Sequence, residues 1–486
     1  MKTSFRERDL WVVRFGRLRL AGLLLWVAGG LVGSNWAATD SGEAFPLSIQ
    51  INSAQTATLS WAASQAGRVH LVQFRDSLSG TQWFACPSIY QWPVAATNWT
   101  VTNLAAAPSR FYRVVASAPA ERGKLLSSTL VRSMSQFEIA LTFSLAGIDI
   151  TPQSGVRIYK LVYETVDPCG MPTRASGALV LPESPTGALP LVSYQHGTLL
   201  EKSSAPSAQG QEVYVAVAFA STGYAAVAPD YLGLGDSPGL HPYHHARSEA
   251  TAVIDLLRVA RRFCASNNLA LNQQLFLCGY SQGGHATMAA VRELEAHHAT
   301  EFVLTASAPM AGAYDLSGVM ADDFLSRRTM PNPYYFAYLL AAYQGIYHLS
   351  DAFSDLLDSP YGKTIPPLLD GQHGGGDINQ AMPADAIVIL KPEELLAFRN
   401  EPEHPLRVAL RDNDLYQWTP QAPMRLYHCR GDRDVLIANS EVAYQSFLSR
   451  GAHEVALVDP LPTADHGGGF YPCLLHAKIW FDGMKQ

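Results

Sequence analysis

The chain has 486 residues, 48% of them hydrophobic and 16% charged, enough apolar material for a large core and for more than one domain. Its 35 Lys and Arg against 42 Asp and Glu leave a formal charge of −7, so no basic excess exists to hold a phosphate backbone and no nucleic acid partner is expected. The six cysteines include no CxxC spacing, which argues against a zinc or redox motif, and no disulfide is assigned from them.

The first residues, MKTSFRERDLWVVRFGRLRL, carry six Lys or Arg against two acids. An uncharged run, Leu20 to Val32, and then small residues follow. That order reads as a cleaved secretory signal over residues 1–38, with an uncleaved anchor as the alternative, and the run is short for a membrane span. Export to the periplasm, cell surface or medium is therefore expected. From Pro46 to Ser117, short alternating segments (ATLSWA, RVHLVQF, NWTVTNL and RFYRVVA) are separated by Gly, Ser, Asn and Pro turns, the pattern of a small β-sandwich. The stretch resembles fibronectin type III-like modules. It holds no cluster of acid, base and nucleophile, so its expected role is as a spacer or in contact with a surface or polymer. Residues 118–154 read as a linker leading into the next domain.

From Gly155 the pattern changes. LPLVSYQHG, GYAAVAPD, QLFLCGYS, FVLTASAPM, MRLYHCRGD and HEVALVDP are short apolar runs with helix-like segments between most of them. Such alternation predicts an α/β domain, 155–486, with a mostly parallel central sheet covered on both faces and reactive loops at the carboxyl ends of its strands.

GYSQGGHATMAA places Ser281 at a tight turn between a strand and a helix, with Gly279 and Gly283 two residues to either side. This is the arrangement of a nucleophile elbow. An acid should follow a later strand, and MRLYHCRGDRDVLI offers Asp432 and Asp434. The G-x-x-D spacing from Gly431 favours Asp434, leaving Asp432 as a turn-capping residue. His466, in the glycine-rich DHGGGF, comes last, completing the order Ser, Asp, His. The turn His196-Gly197-Thr198 can aim backbone N–H groups at a developing negative charge together with that of Gln282. HPYHHARSE brings His241, His244 and His245 close in sequence, but no nearby acid or Cys completes a ligand set, so they read as shaping a loop and a helix start.

Taken in order, YQHGT, PDYLGLGDSPGLHPY, GYSQGG, GDRD and DHGGG resemble the α/β-hydrolase superfamily, and within it the secretory lipase A-like branch. The resemblance implies Ser281 as nucleophile, Asp434 as acid, His466 as base, and the backbone N–H groups of Thr198 and Gln282 as the oxyanion hole. His196, Gly197, Tyr231 and Tyr338 stand as candidates to line the substrate site. The reaction implied is hydrolysis of a small-molecule or lipid ester through an acyl-enzyme, with no metal or organic cofactor. A serine peptidase, an acyltransferase or a non-catalytic surface-binding protein are the competing readings.

Asp434 comes 153 positions after Ser281, far more than one helix, one strand and their connections need. An insertion over about 312–420 is expected, and its PNPYYFAYLLAAYQGIYHL is apolar around nearly its whole circumference. It reads as a helical cap over Ser281 that lines an acyl tunnel, with Gly371, Gly374, Gly375 and Gly376 as a hinge. A buried helix without that role is the alternative.

Overall fold

A computed structural model describes residues 47–52, 56–61, 68–75, 84–85, 98–102, 111–185, 187–326 and 329–486. The proposed signal segment lies outside the described residues. The chain divides into two compact units, the first ending at Ala120 apart from a short return at Cys169–Pro172.

In the first unit six strands form two three-stranded antiparallel sheets. One has the order β1 (Leu47–Ile51), β2 (Thr56–Trp61), β5 (Asn98–Thr102), and the other β4 (Phe84–Ala85), β3 (Val69–Arg75), β6 (Phe111–Ser117). Leu59 and Trp61 of β2 share a core with Val72 and Phe74 of β3 and Tyr112 and Val114 of β6. The alternate spacing is that of strands with one buried face.

The second unit begins at Glu121. Residues 118–154 are therefore not chiefly a linker. They contribute β7 (Lys124–Met134), the outer strand of a nine-stranded sheet, and helix α1 (Gln136–Leu145), capped by the Ser135 hydroxyl accepting from Glu138 N–H at 3.2 Å. β7 showed no clear alternation because most of its residues are exposed and only Met134 is fully buried. It pairs antiparallel with β8 (Val156–Val166).

Beyond β8 the sheet runs through β9 (Pro172–Pro182), β11 (Ala225–Pro229), β10 (Leu189–Gln195), β12 (Leu271–Tyr280), β13 (Ala306–Met310), β14 (Met424–Tyr427) and β15 (Val455–Val458). The strands from β10 to β15 are mutually parallel, and β9 joins β11 antiparallel. Alternate residues feed two cores. Leu275 and Leu277 of β12 pack with helix α3 (Ala246–Ser266) and helix α4 (Gln282–His297), whereas Phe276 and Cys278 pack on the opposite face with helix α2 (Val213–Ala220) and the C-terminal helix His466–Asp482. Because β11 lies on one side of β10 and β12 on the other, the strand order reverses there. A crevice opens at the carboxyl ends of β10 and β12, where ligands bind in open α/β sheets.

The segment from 311 to 423 is an insertion, largely helical, with its own core. Its helix Tyr334–Tyr347 is buried on both faces and packs with Leu200 and Tyr243 from loops over the sheet. Gly375 and Gly376 lie inside a short helix, Gly375–Ala381, and a Cβ at Gly375 would come 2.8 Å from the Tyr334 ring. Gly375 is thus a close-packing position, not part of a hinge. Among the described residues no helix is long and apolar enough to cross a membrane.

Candidate active site

Ser281 sits between the last residue of β12 and the first of α4 at φ 60° and ψ −122°, a region costly for any residue with a Cβ. The turn holds because its neighbours over-determine it. Ser281 N–H donates to Met310 O at 2.9 Å. A Cβ on Gly283 would fall 1.9 Å from Gln195 O, and one on Gly279 would fall 2.3 Å from Gly283 O. No side chain fits at either place, so helix and strand close on each other and the serine oxygen is lifted above the sheet.

His466 begins the C-terminal helix, whose first turn is capped by the Asp465 carboxylate accepting from Gly468 N–H at 2.8 Å. Its Nε2 lies 2.8 Å from Ser281 Oγ, and Tyr280 OH donates to its carbonyl at 2.6 Å. Its Nδ1 lies 2.6 Å from Oδ2 of Asp432. The acid facing the imidazole is therefore Asp432, and the expectation of Asp434 is corrected. The loop after β14 curls so that the backbone N–H groups of Asp434 and Val435 both donate to Asp432 Oδ1, at 3.0 and 2.9 Å. This turns the Asp432 carboxylate towards His466. The Asp434 side chain points into the insertion, where its Oδ2 accepts from Asn332 Nδ2 at 3.0 Å. Burial pushes the Asp432 carboxyl upward, but hydrogen bonds and attraction from His428 and His466 outweigh it and hold the group below the usual carboxylate range. His428, fully buried, stands 3.3 Å from Asp432 Oδ2 and was not singled out in the sequence.

Gly197 lies beside Ser281; a Cβ there would sit 3.9 Å from that of Ser281. Its N–H is engaged by the carboxylate of Glu212, which burial shifts upward and to which Tyr194 OH also donates. Thr198 is held by its hydroxyl, 2.8 Å from Tyr243 OH. Gln282 is the first residue of α4, so its N–H belongs to the first turn, where no intrahelical acceptor exists. His196 is buried, its acidity shifted to about 4 by burial, and Tyr231 OH donates to its carbonyl at 3.2 Å. Both therefore support the loop from beneath. Tyr338 stacks on Tyr243 at 4.7 Å and donates to Leu199 O at 3.2 Å. With Leu200, Lys202, Gly233, His241 and Gly371 it lines a cavity of about 120 Å³.

The histidines of HPYHHARSE also find partners that the sequence did not suggest. His244, Glu249 and His285, all buried, bring potential ligand atoms within 4.8 Å of one another, and His285 Nδ1 and Glu249 Oε2 are directly hydrogen-bonded at 2.6 Å.

The fold agrees with that of known proteins. The secretory lipase family model matches residues 200–322. The rice cell wall degrading esterase LipA from Xanthomonas oryzae is 30% identical with a TM-score of 0.66, over 74% of this chain and 95% of that one. A protein of Legionella pneumophila assigned as a hydrolase is also 30% identical, with a TM-score of 0.69 over 74% and 98% of the two chains. The chain belongs to the secretory lipase family. Candida antarctica lipase A, 18% identical with a TM-score of 0.56 over 74% and 82%, shares the fold. A comparison with curated proteins finds no match. As a member of the lipases and esterases of α/β-hydrolase fold, the protein is a carboxylic-ester hydrolase.

Proposed function

We propose that this protein is an exported serine esterase or lipase that works through Ser281, His466 and Asp432 and forms an acyl-enzyme. The observation that carries the reading is the unbroken line from Ser281 Oγ through both nitrogens of His466, 2.8 and 2.6 Å, to the Asp432 carboxylate. Asp432 accepts the proton on Nδ1, which leaves the Nε2 lone pair facing the serine. As Oγ attacks the ester carbonyl, Nε2 takes its proton, and Asp432 stabilises the resulting imidazolium. The carbonyl oxygen, now anionic, turns towards the N–H groups of Gln282 and Thr198, each contributing about 3 kcal/mol in the transition state. His466 then protonates the departing alcohol, and water activated by the same nitrogen releases the acid. The steps use no metal or organic cofactor. The N-terminal module serves as a spacer or a contact to a surface or polymer, and the cap over the site selects the acyl chain.

The test is a panel of p-nitrophenyl esters of increasing acyl length beside a peptide amide, assayed with the natural enzyme and Ser281→Ala. Ester turnover lost by roughly 10⁵-fold or more in the folded variant is expected. Normal turnover by that variant, or faster cleavage of the amide than of any ester, would overturn the reading.

A further inference from the structure

Behind Ser281, on the α3 side, lies a chain of buried polar groups linked by hydrogen bonds. Glu249, 1% exposed on α3, accepts from Gln282 Nε2 at 2.9 Å through Oε1 and meets His285 Nδ1 at 2.6 Å through Oε2. His285 Nε2 is 3.1 Å from Asn413 O, which can only accept, so that nitrogen donates. At the other end, His241 Nδ1 donates to Leu232 O at 2.7 Å, leaving its Nε2 to accept from Gln282 Nε2 at 2.6 Å. Burial lowers the acidity range of His241, in keeping with a single ring proton. The two amide protons of Gln282 are thereby both used, one on each neighbour. Turned over, the amide would set its oxygen against a carboxylate and a ring lone pair. Gln282 Oε1 is buried and has no protein hydrogen-bond partner among the described residues.

Gln282 is also the residue whose backbone N–H faces the developing oxyanion. The same network reaches the other wall of that site. His241 stacks on Tyr231 at 5.7 Å and 13°, and Tyr231 OH holds the carbonyl of His196, two residues before Thr198. We infer that Glu249 is a positioning residue, which fixes the oxyanion site by holding the Gln282 side chain between its own carboxylate and His241, with His285 anchoring that carboxylate. This inference rests on the proposed serine mechanism. It assigns to a residue with no access to substrate the task of keeping the Gln282 N–H within the few tenths of an ångström that such donors require.

Three variants of the full chain test it: Glu249→Leu, Glu249→Gln and Gln282→Met. Glu249→Leu removes the clamp and should lower kcat on a short p-nitrophenyl ester about 10- to 100-fold, leaving KM within about twofold. Glu249→Gln can rebuild the clamp, because its amide N–H donates to a singly protonated His285 and its oxygen accepts from Gln282; it should keep kcat within about threefold of the natural enzyme. Gln282→Met retains the backbone N–H and loses both anchors, so it should match Glu249→Leu even if the latter folds poorly. The double variant Glu249→Leu with Gln282→Met should be no slower than either alone. Natural kcat in folded Gln282→Met, or equal losses in Glu249→Gln and Glu249→Leu, would overturn the inference. Ser281→Ala in parallel separates this from the mechanism: an inactive Ser281→Ala beside a fully active Gln282→Met rejects the clamp alone, while an active Ser281→Ala rejects the serine mechanism.

Discussion

Replacing Asp432 by Asn should disable the enzyme far more than replacing Asp434, and the hydrogen bonds around the loop say by how much. Asp432 Oδ1 accepts two backbone N–H groups and Oδ2 faces His466 Nδ1 at 2.6 Å. In Asp432→Asn the amide oxygen must stay with the two N–H donors, because an NH₂ group there would meet two protons. Its NH₂ then faces His466 Nδ1 and forces the ring to carry its proton on Nε2, where it points at Ser281 Oγ and cannot accept from it. The shape of the site survives while the base has the wrong tautomer. The expected fall in kcat is about 10³- to 10⁴-fold, equivalent to roughly 4–5.5 kcal/mol of activation energy. Asp434→Asn leaves the Asp432–His466 contact in place and alters the acceptor that meets Asn332 at 3.0 Å, and should change kcat by less than about tenfold. Initial rates on p-nitrophenyl butyrate, with circular dichroism to show that each variant is folded, decide the matter. A folded Asp432→Asn with near-natural kcat beside an inactive Asp434→Asn would refute both the acid assignment and the tautomer argument.

Further outcomes are open to measurement. Asp414 is buried, which lifts its carboxyl to about 6 despite hydrogen bonds from Ser317 N–H and hydroxyl. Because the folded value is raised, its contribution to stability is full below about pH 4 and is lost as pH rises through about 6, roughly 3 kcal/mol in all. Asp414→Asn should flatten that slope, and an unchanged difference between the two proteins in urea unfolding at pH 4.5 and pH 7 would contradict it. Ala341, buried on the cap helix three residues from the cavity-lining Tyr338, gives a handle on chain selection. Esters should gain up to about fourfold in kcat/KM for each added methylene that the cap buries, and Ala341→Trp should penalise long chains more than short ones. A profile that peaks at acetate and does not respond to Ala341→Trp would make the helix plain packing. Finally, a protein starting near Ala118 should hydrolyse a small soluble ester at the natural rate, since Ser281, His466 and Asp432 all lie in the second unit. A folded truncation with lost turnover would place part of the site in the first unit.

The strands from β10 to β15 and the turn at Ser281 were readable in the sequence because they rest on local physics. Buried parallel strands are short apolar runs, and a turn in which Gly279 and Gly283 touch backbone admits no side chain. His466 was readable from its position after the last strand. β7 was not, since an outer strand exposed along most of its length carries no alternation. The choice between Asp432 and Asp434 also lay beyond the sequence. Two aspartates two residues apart differ only in which one the loop caps with its own N–H groups and which meets Asn332, 102 positions away. The glycine spacing that pointed to Asp434 describes the chain, whereas the facing of a carboxylate depends on the loop that surrounds it. Likewise Glu249, Gln282 and His285 are unremarkable residues on two helices until α3 and α4 pack together, 33 and 36 positions apart, and remove them from water. Local periodicity and glycine placement thus determined the elements and the turn at Ser281; which aspartate faces His466, and the buried contacts of Glu249, were decided by tertiary packing, because hydrogen-bond partners are fixed only when every neighbouring donor and acceptor is in place.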